Sequence, residues 1–262
     1  MRAYVVDHPD GPFTEVDIPR PVPLAGQVLV GVCASGVNPL DTKIRAGKAD
    51  HAKQPLPAVL GLDMAGVVEE VAKDVTSFRT GDEVYGMVGG VGYVAVQLAK
   101  AFGAEVFATV SAGKQHLVEA LGATAIDYRA LSTEQYVGLY TEGQGFDVVY
   151  DTVGGATLDA SFVAVRRYTG HVVSCLGWST HSLAPLSLRG ATYSGVFTLM
   201  PLLTGFGQAH HGEILREAAA LADGGKLKPL LNQQVFTPTD IAAAHALVES
   251  GSLGKVVIDF QG

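Results

Sequence analysis

Near Glu83 the chain changes its rhythm, and that change constrains the fold more than any single motif. Before about Gly81 it reads as short alternating or β-rich runs, at residues 2–7, 27–33 and 65–71, separated by proline and glycine. Pro19, Pro21 and Pro23 supply no ladder donors, so they belong to a connection. One short helix is expected at residues 39–46, with Asn38 as its N-cap and Pro39 at the first helical position. From Glu83 onward, continuous apolar runs at 83–88, 105–110, 146–151 and 171–176 alternate with amphipathic stretches at 93–102, 114–121 and 158–165. That alternation calls for a parallel sheet covered on both faces. A last helix is expected at 240–249 and a closing strand at 255–260.

The run at 83–88 enters Gly89, Gly90, Val91 and Gly92 and then a helix. Gly86, Gly89 and Gly92 form G-x-x-G-x-x-G, but with 32 glycines in 262 residues about 0.5 such triplets arise by chance. Context gives the spacing its meaning: between strand and helix, backbone without side chains lets a pyrophosphate approach amides at the positive end of a helix. The alternative is a merely tight turn. After the next strand, where an adenosine ribose would be read, stand Ser111, Ala112, Gly113 and Lys114, with no carboxylate. A carboxylate suits the 2′-hydroxyl of NAD, whereas a hydroxyl and an ammonium suit a 2′-phosphate, which points to NADPH. Taken alone, Lys114 is an exposed lysine in the first turn of a helix; the missing acid favours the phosphate reading.

Composition narrows the function classes. The formal charge is −8 and the basic residues are scattered, which disfavours a phosphate backbone as partner. Cys33 and Cys175 sit in apolar runs and read as reduced core thiols, in keeping with a cytoplasmic setting. The N-terminal residues lack a signal-peptide core, and no apolar run has the length of a membrane span, so a soluble intracellular protein is expected.

Several segments in order resemble the zinc-independent quinone oxidoreductase (zeta-crystallin-like) branch of the medium-chain dehydrogenase/reductase superfamily. They are SGVNPLDTKIRAG at 35–47, LGLDMAGVV at 60–68, GDEVYG at 81–86 and GGVGYVAVQLAKAFGA at 89–104. AIDYR at 125–129, FDVVYDTVGG at 146–155, GHVVSCLGW at 170–178 and GKVVIDF at 254–260 follow. The resemblance implies an α/β fold: a GroES-like, mostly β catalytic domain over residues 1–82, joined by the last strand at about 252–262, and a Rossmann domain with a doubly wound parallel sheet over 83–251. It implies NADPH-dependent hydride transfer to a quinone or an α,β-unsaturated carbonyl, and a homodimer in which the segment at 191–196 pairs across the interface.

Carried over by position, Ser111, Lys114 and Tyr128 would hold the 2′-phosphate, and the turn from Gly86 through Gly89, Gly90, Val91 and Gly92 the pyrophosphate. Thr152, Val153, Leu176, Phe197 and Leu199 fall near the ribose and nicotinamide, where core packing is the alternative reading of the apolar members. Gly254 and Lys255 would close the cofactor site, and Trp178 should lie near it. Asn38 could bond a carbonyl or the cofactor, while Asp41 and Lys43 could orient the substrate and relay a proton. Equally, Asn38 could be only a cap and the other two exposed helix charges. Zinc-dependent relatives carry Cys in place of Asn38 and Gly-His-Glu in place of Gly61, Leu62 and Asp63, so no zinc is expected. His210 and His211 read as a solvated helix start.

The chain departs from the family where GDEVYG meets GGVG with only Met87 and Val88 between them, a stretch that is long in the family. One run must then serve either as a strand of the catalytic domain or as the first Rossmann strand. The Rossmann role is expected to prevail, because a glycine turn must follow a strand at its C-terminal end. The catalytic barrel would then be incomplete, with apolar edges that favour a partner chain. A binding protein with little turnover, acting as a sensor or structural protein, is the alternative function, and a poorly folding deletion product a third.

Overall fold

The structure, a computed structural model, describes residues 1–86 and 91–261. In chain order its elements are β1 (Arg2–Val6), β2 (Thr14–Asp17), β3 (Val28–Val37), α1 (Pro39–Arg45), β4 (Ala58–Val59), β5 (Met64–Val71) and β6 (Glu83–Gly86). There follow α2 (Val91–Ala101), β7 (Phe107–Val110), α3 (Gln115–Glu119), β8 (Thr124–Asp127), α4 (Thr133–Thr141), β9 (Val148–Asp151), α5 (Ala156–Ala164) and β10 (His171–Ser174). The last are α6 (Ala184–Arg189), β11 (Thr192–Gly195), α7 (Met200–Thr204), α8 (Gln208–Asp223), β12 (Leu231–Phe236), α9 (Ile241–Glu249) and β13 (Lys255–Asp259). Two compact units result: Met1–Gly90 with Pro229–Gly262, and Val91–Lys228.

The first unit holds a five-stranded sheet in the order β12-β13-β3-β5-β6 and a three-stranded sheet in the order β2-β1-β4. Its core gathers Val37, Phe236, Ile241, Ala244, Val256 and Ile258. The sequence assigned α9 to the Rossmann domain. In the structure α9 instead buries Ile241 and Ala244 in this core, between the parallel strands β12 and β13 that it joins.

The competition over the run at 83–88 ends differently from the expectation for its described part, 83–86, while Met87 and Val88 lie outside the described residues. β6 pairs antiparallel with β5, Met64 opposite Gly86 and Val67 opposite Glu83. Two features of the chain favour this outcome. β5 and β6 are joined by the eleven residues 72–82, whose far end is tied back where the amides of Val68 and Gly81 donate to the carbonyls of Asp82 and Val68, so the pairing is with a near neighbour in the chain. The run also alternates, with Glu83 and Tyr85 exposed and Val84 and Gly86 half-buried, as suits a strand with one solvated face. A central parallel strand needs apolar residues on both faces. The sheet of the first unit therefore has the strand that the sequence reading gave to the second.

In the second unit the parallel strands form two groups, β7-β8 and β11-β10-β9. Set against the doubly wound order 3-2-1-4-5-6, β8 and β7 take the third and second places and β9, β10 and β11 the fourth, fifth and sixth. The first place holds no strand among the described residues. Side chains on one face still join the groups: Phe107 of β7 meets Phe146, with ring centroids 5.3 Å apart, and both pack with Val149 of β9 against Ile126, Tyr136 and Val137. A second cluster, Leu158, Phe162, Val165, Val172 and Leu186, fixes α5 and α6 to β10. No helix among the described residues is long and apolar enough to cross a membrane.

Candidate active site

Each unit carries one cluster of the expected residues. In the second unit they stand where parallel α/β sheets bind ligands, just beyond the carboxyl ends of the strands. Val110 of β7 is in register with Asp127 of β8, so Ser111 and Tyr128 emerge side by side. Lys114 ends the 3₁₀ turn after Ser111 and is exposed. Arg129 places its guanidinium 5.8 Å from the Tyr128 ring centroid, adding a second cation that the sequence reading did not single out.

Thr152 and Val153 follow β9, Leu176 follows β10, and Phe197 follows β11; Leu199 is buried. One carboxylate organises these loops. Asp151, buried at the end of β9, accepts from the amides of Val153 and Gly154 and from the Ser174 hydroxyl at 2.6 Å. Ser174 in turn accepts from the Leu176 amide at 3.1 Å. Gly154 is required here, since it has φ +77° and a Cβ on it would stand 2.3 Å from the Leu176 carbonyl oxygen. Sequence reasoning missed Asp151, although an acid closing an apolar strand before two glycines was the available signal. Trp178 meets the Phe197 ring edge-on at 5.3 Å.

The glycine turn is only partly where the sequence put it. Val91 and Gly92 open α2, and a Cβ on Gly92 would lie 3.8 Å from Thr152 Oγ1, so this helix start adjoins the loop after β9. Gly89 and Gly90 lie outside the described residues. Gly86 ends β6 opposite Met64, in the antiparallel sheet of the first unit; as part of a phosphate turn it is corrected by that pairing.

In the first unit β3 runs into α1, and Asn38 is the N-cap residue, as expected. Its amide donates to Asp41 Oδ2 at 2.7 Å. Asp41 is 1% exposed, and its Oδ1 has no hydrogen-bond partner among the described residues. Burial foremost, then the nearby Asp63 carboxylate, lift Asp41 to about 6 against the opposing hydrogen bonds of Asn38 and the charge of Lys255. Lys43 does not join this cluster: it is exposed on the last turn of α1. Lys255, at the start of β13, donates from Nζ to Asn38 Oδ1 at 2.5 Å and forms an ion pair with Asp63 Oδ2. The Ser35 hydroxyl donates to the Asp63 carbonyl at 2.8 Å. Gly254 has φ +77° and lies against the backbone of Leu231 and Asn232, so a tight strand approach accounts for it. Asp63, the partner of Lys255, entered the sequence reading only as the residue standing where zinc-dependent relatives carry Glu.

The donor set does not suit zinc. An amide, a carboxylate already paired with an ammonium, and Leu62 replace the thiolate and imidazole that the metal prefers. His210 pairs with Glu213 at the surface, and among the described residues no three His, Cys, Asp or Glu side chains gather as a metal site. Both cysteines are free thiols.

Known proteins agree with this architecture. A family model described as zinc-binding dehydrogenase matches residues 121–258, more than half of the chain, and the alcohol dehydrogenase GroES-like domain matches 24–110. The chain therefore belongs to the alcohol dehydrogenase, or medium-chain dehydrogenase/reductase, superfamily. It is 44% identical to an alcohol dehydrogenase superfamily protein of Novosphingobium aromaticivorans, with a TM-score of 0.94 over 99% of both chains. It is 28% identical to an NADPH-dependent alkenal/one oxidoreductase of Arabidopsis thaliana, covering 88% of this chain and 72% of that one. That alignment spans 305 positions, more than the 262 residues of the chain, as an internal shortening requires. Over 85 residues, 32% of this chain and 26% of the other, it is 42% identical to the quinone oxidoreductase of Sus scrofa.

Proposed function

We propose that the protein is an NADPH-dependent reductase of quinones or α,β-unsaturated carbonyls that works without zinc. The observation that carries the reading is the set of Ser111, Lys114, Tyr128 and Arg129 at the carboxyl ends of neighbouring parallel strands, with no carboxylate closing β7. A hydroxyl, a phenol and two cations suit a 2′-phosphate and disfavour the bare ribose of NAD. Reduced nicotinamide supplies a hydride when bound. The chain's own part is to hold and to exclude: Asp151 fixes the loops that present Thr152, Val153 and Leu176 as a mostly apolar wall. The helix start at Val91 and Gly92 offers amides to phosphate. Phe197 and Leu199 extend the apolar lining. Asn38 and Asp41 face the acceptor, and Lys43 on the same helix aids substrate approach through its charge. A reduced quinone is a stabilised phenolate, so solvent can supply its proton.

The alkenal and quinone names of the relatives support this substrate class, and free thiols fit a reducing cytoplasm. A homodimer is proposed through β11, which lies at the edge of its sheet. The domain assignment follows the two units, with the parallel-sheet unit binding the cofactor. That no described residue fills the central place of the parallel sheet favours one second reading, an NADPH-binding protein with little turnover. Titration with NADPH, following quenching of Trp178 emission, with NADH as control, and then turnover with a simple benzoquinone, separates the two. Preferential NADPH binding with turnover is expected. Binding without turnover would favour the second reading, and binding of neither nucleotide would contradict both.

A further inference from the structure

The Lys255 cluster has a composition that folding alone does not call for. Its ion pair is nearly sealed, with side chains 10% exposed for Lys255 and 9% for Asp63. Buried ion pairs give little net stability, and apolar replacements of similar volume often do as well. The backbone nevertheless reserves a path for this lysine: a Cβ on Gly36 would stand 2.3 Å from Lys255 Cε and 2.9 Å from Asp63 Oδ2. An ammonium has three protons to donate. Asn38 Oδ1 and Asp63 Oδ2 accept two of them, which leaves one for a further acceptor. Asp41 Oδ1, buried in the same cluster, has no donor. The charges of Lys255 and Asp63 both act on Asp41, so the groups lie within electrostatic reach of each other. Among the described residues the cluster thus offers one unused donor and one unused acceptor. A hydroxyl group, which accepts at its oxygen and donates its proton, matches both.

We propose that Lys255 Nζ and Asp41 Oδ1 bind the hydroxyl of a phenol or enol, the ammonium donating to its oxygen and the carboxylate accepting its proton directly or through one water. Asn38 and Asp63 are positioning residues that hold the ammonium. The inference rests on the proposed reductase reading and sharpens it, because a phenol or enol is the reduced form of a quinone or enone. It ranks quinones and enones above acceptors that yield no hydroxyl. It also gives Lys255 the substrate oxygen as its partner.

The test needs no cofactor. Binding of 4-fluorophenol to the whole protein is followed by its fluorine resonance, with 4-fluoroanisole, which lacks the proton, as comparison. The phenol should bind at least about tenfold more tightly than the anisole. Lys255→Met should abolish that preference and Lys255→Arg restore part of it, each variant first being shown to melt cooperatively. Asp41→Leu should reduce the preference, while Lys73→Ala, at an exposed lysine with no part in the cluster, should leave it intact. Equal binding of phenol and anisole, or a preference that survives Lys255→Met, would overturn the proposal. Quinone turnover with NADPH is measured separately. Turnover without phenol preference defeats only this inference, whereas phenol preference without nucleotide binding defeats only the reductase reading.

Discussion

The two units respond differently to the same shortened connection. In the first, β6 completes one edge of a mixed sheet by antiparallel pairing with β5, and the strands at the other end bury a shared helix, α9. In the second, the parallel strands stay in two groups and rely on side chains, Phe107, Phe146 and Val149 among them, to hold one face together. Local pairing explains the difference. An antiparallel neighbour is reached by a short loop, whereas a parallel one needs a crossover of a dozen residues or more. A run too short to serve both units goes to the nearer partner. The second unit bears the loss, so its loops depend more heavily on single buried contacts such as Asp151.

The largest expected effect tests that dependence. Asp151→Ala leaves the Ser174 hydroxyl and two loop amides without their acceptor, which should cost about 3–5 kcal/mol and remove NADPH binding. Urea unfolding with a nucleotide titration reads both; a variant that keeps its stability and its binding would break the comparison.

Next come two buried groups of the first unit that titrate in opposite directions. Asp41, lifted to about 6 mainly by burial, is most favourable to folding below its unfolded value of 3.8, and that stability is lost as pH rises through 6. His245, lowered to about 4 by burial and by Arg45, does the reverse: its contribution is present above 6.5 and lost as pH falls through 4. Each amounts to about 3 kcal/mol, at roughly 1.36 kcal/mol per unit of pKa, and the two nearly cancel in the native chain. Asp41→Asn should therefore leave stability rising with pH between 4 and 6, and His245→Phe should leave it falling. Denaturant midpoints across that window give the slopes, and parallel profiles for the two variants would contradict the burial argument.

A smaller effect concerns the phosphate residues. Lys114→Glu should weaken NADPH about 10- to 100-fold while NADH binding changes little, since only the former carries the 2′-phosphate. Equal losses for the two nucleotides would move Lys114 out of the site. The smallest concerns the vacant place in the parallel sheet. Val148 on β9 is 64% exposed, where a central neighbour would have buried it. Val148→Lys should then change stability by no more than about 0.5 kcal/mol, as at other surface positions. A cost several times larger would mean that another strand covers β9.

Much of the fold was legible because period and punctuation are local properties. Asn38 and Pro39 announce α1, and the apolar runs at 107–110, 148–151 and 171–174 announce their strands. What escaped depends on partners. β12, with Asn232, Gln233 and Gln234, carries little strand signal and exists because β13 pairs with it. α4 has a capping box between Ser132 and Gln135, a sequence signal that was available but overlooked. The allocation of 83–86 was a contest between two sheets, which no local pattern decides. At the site, Ser111 and Lys114 were read from their place after a strand, and Tyr128 from the family resemblance. Asp151 and Asp63 act on residues far along the chain, through Ser174 and Lys255, so they emerge only in the fold.

Amide hydrogen exchange, with and without NADPH, tests the allocation most directly. The account predicts that the amides at 83–86 are protected in the free protein and unchanged by NADPH, while those at 111–114, 124–128 and 152–154 gain protection when it binds. Amides at 83–86 that exchange freely until NADPH is added would contradict it, because that strand would then belong to the cofactor unit.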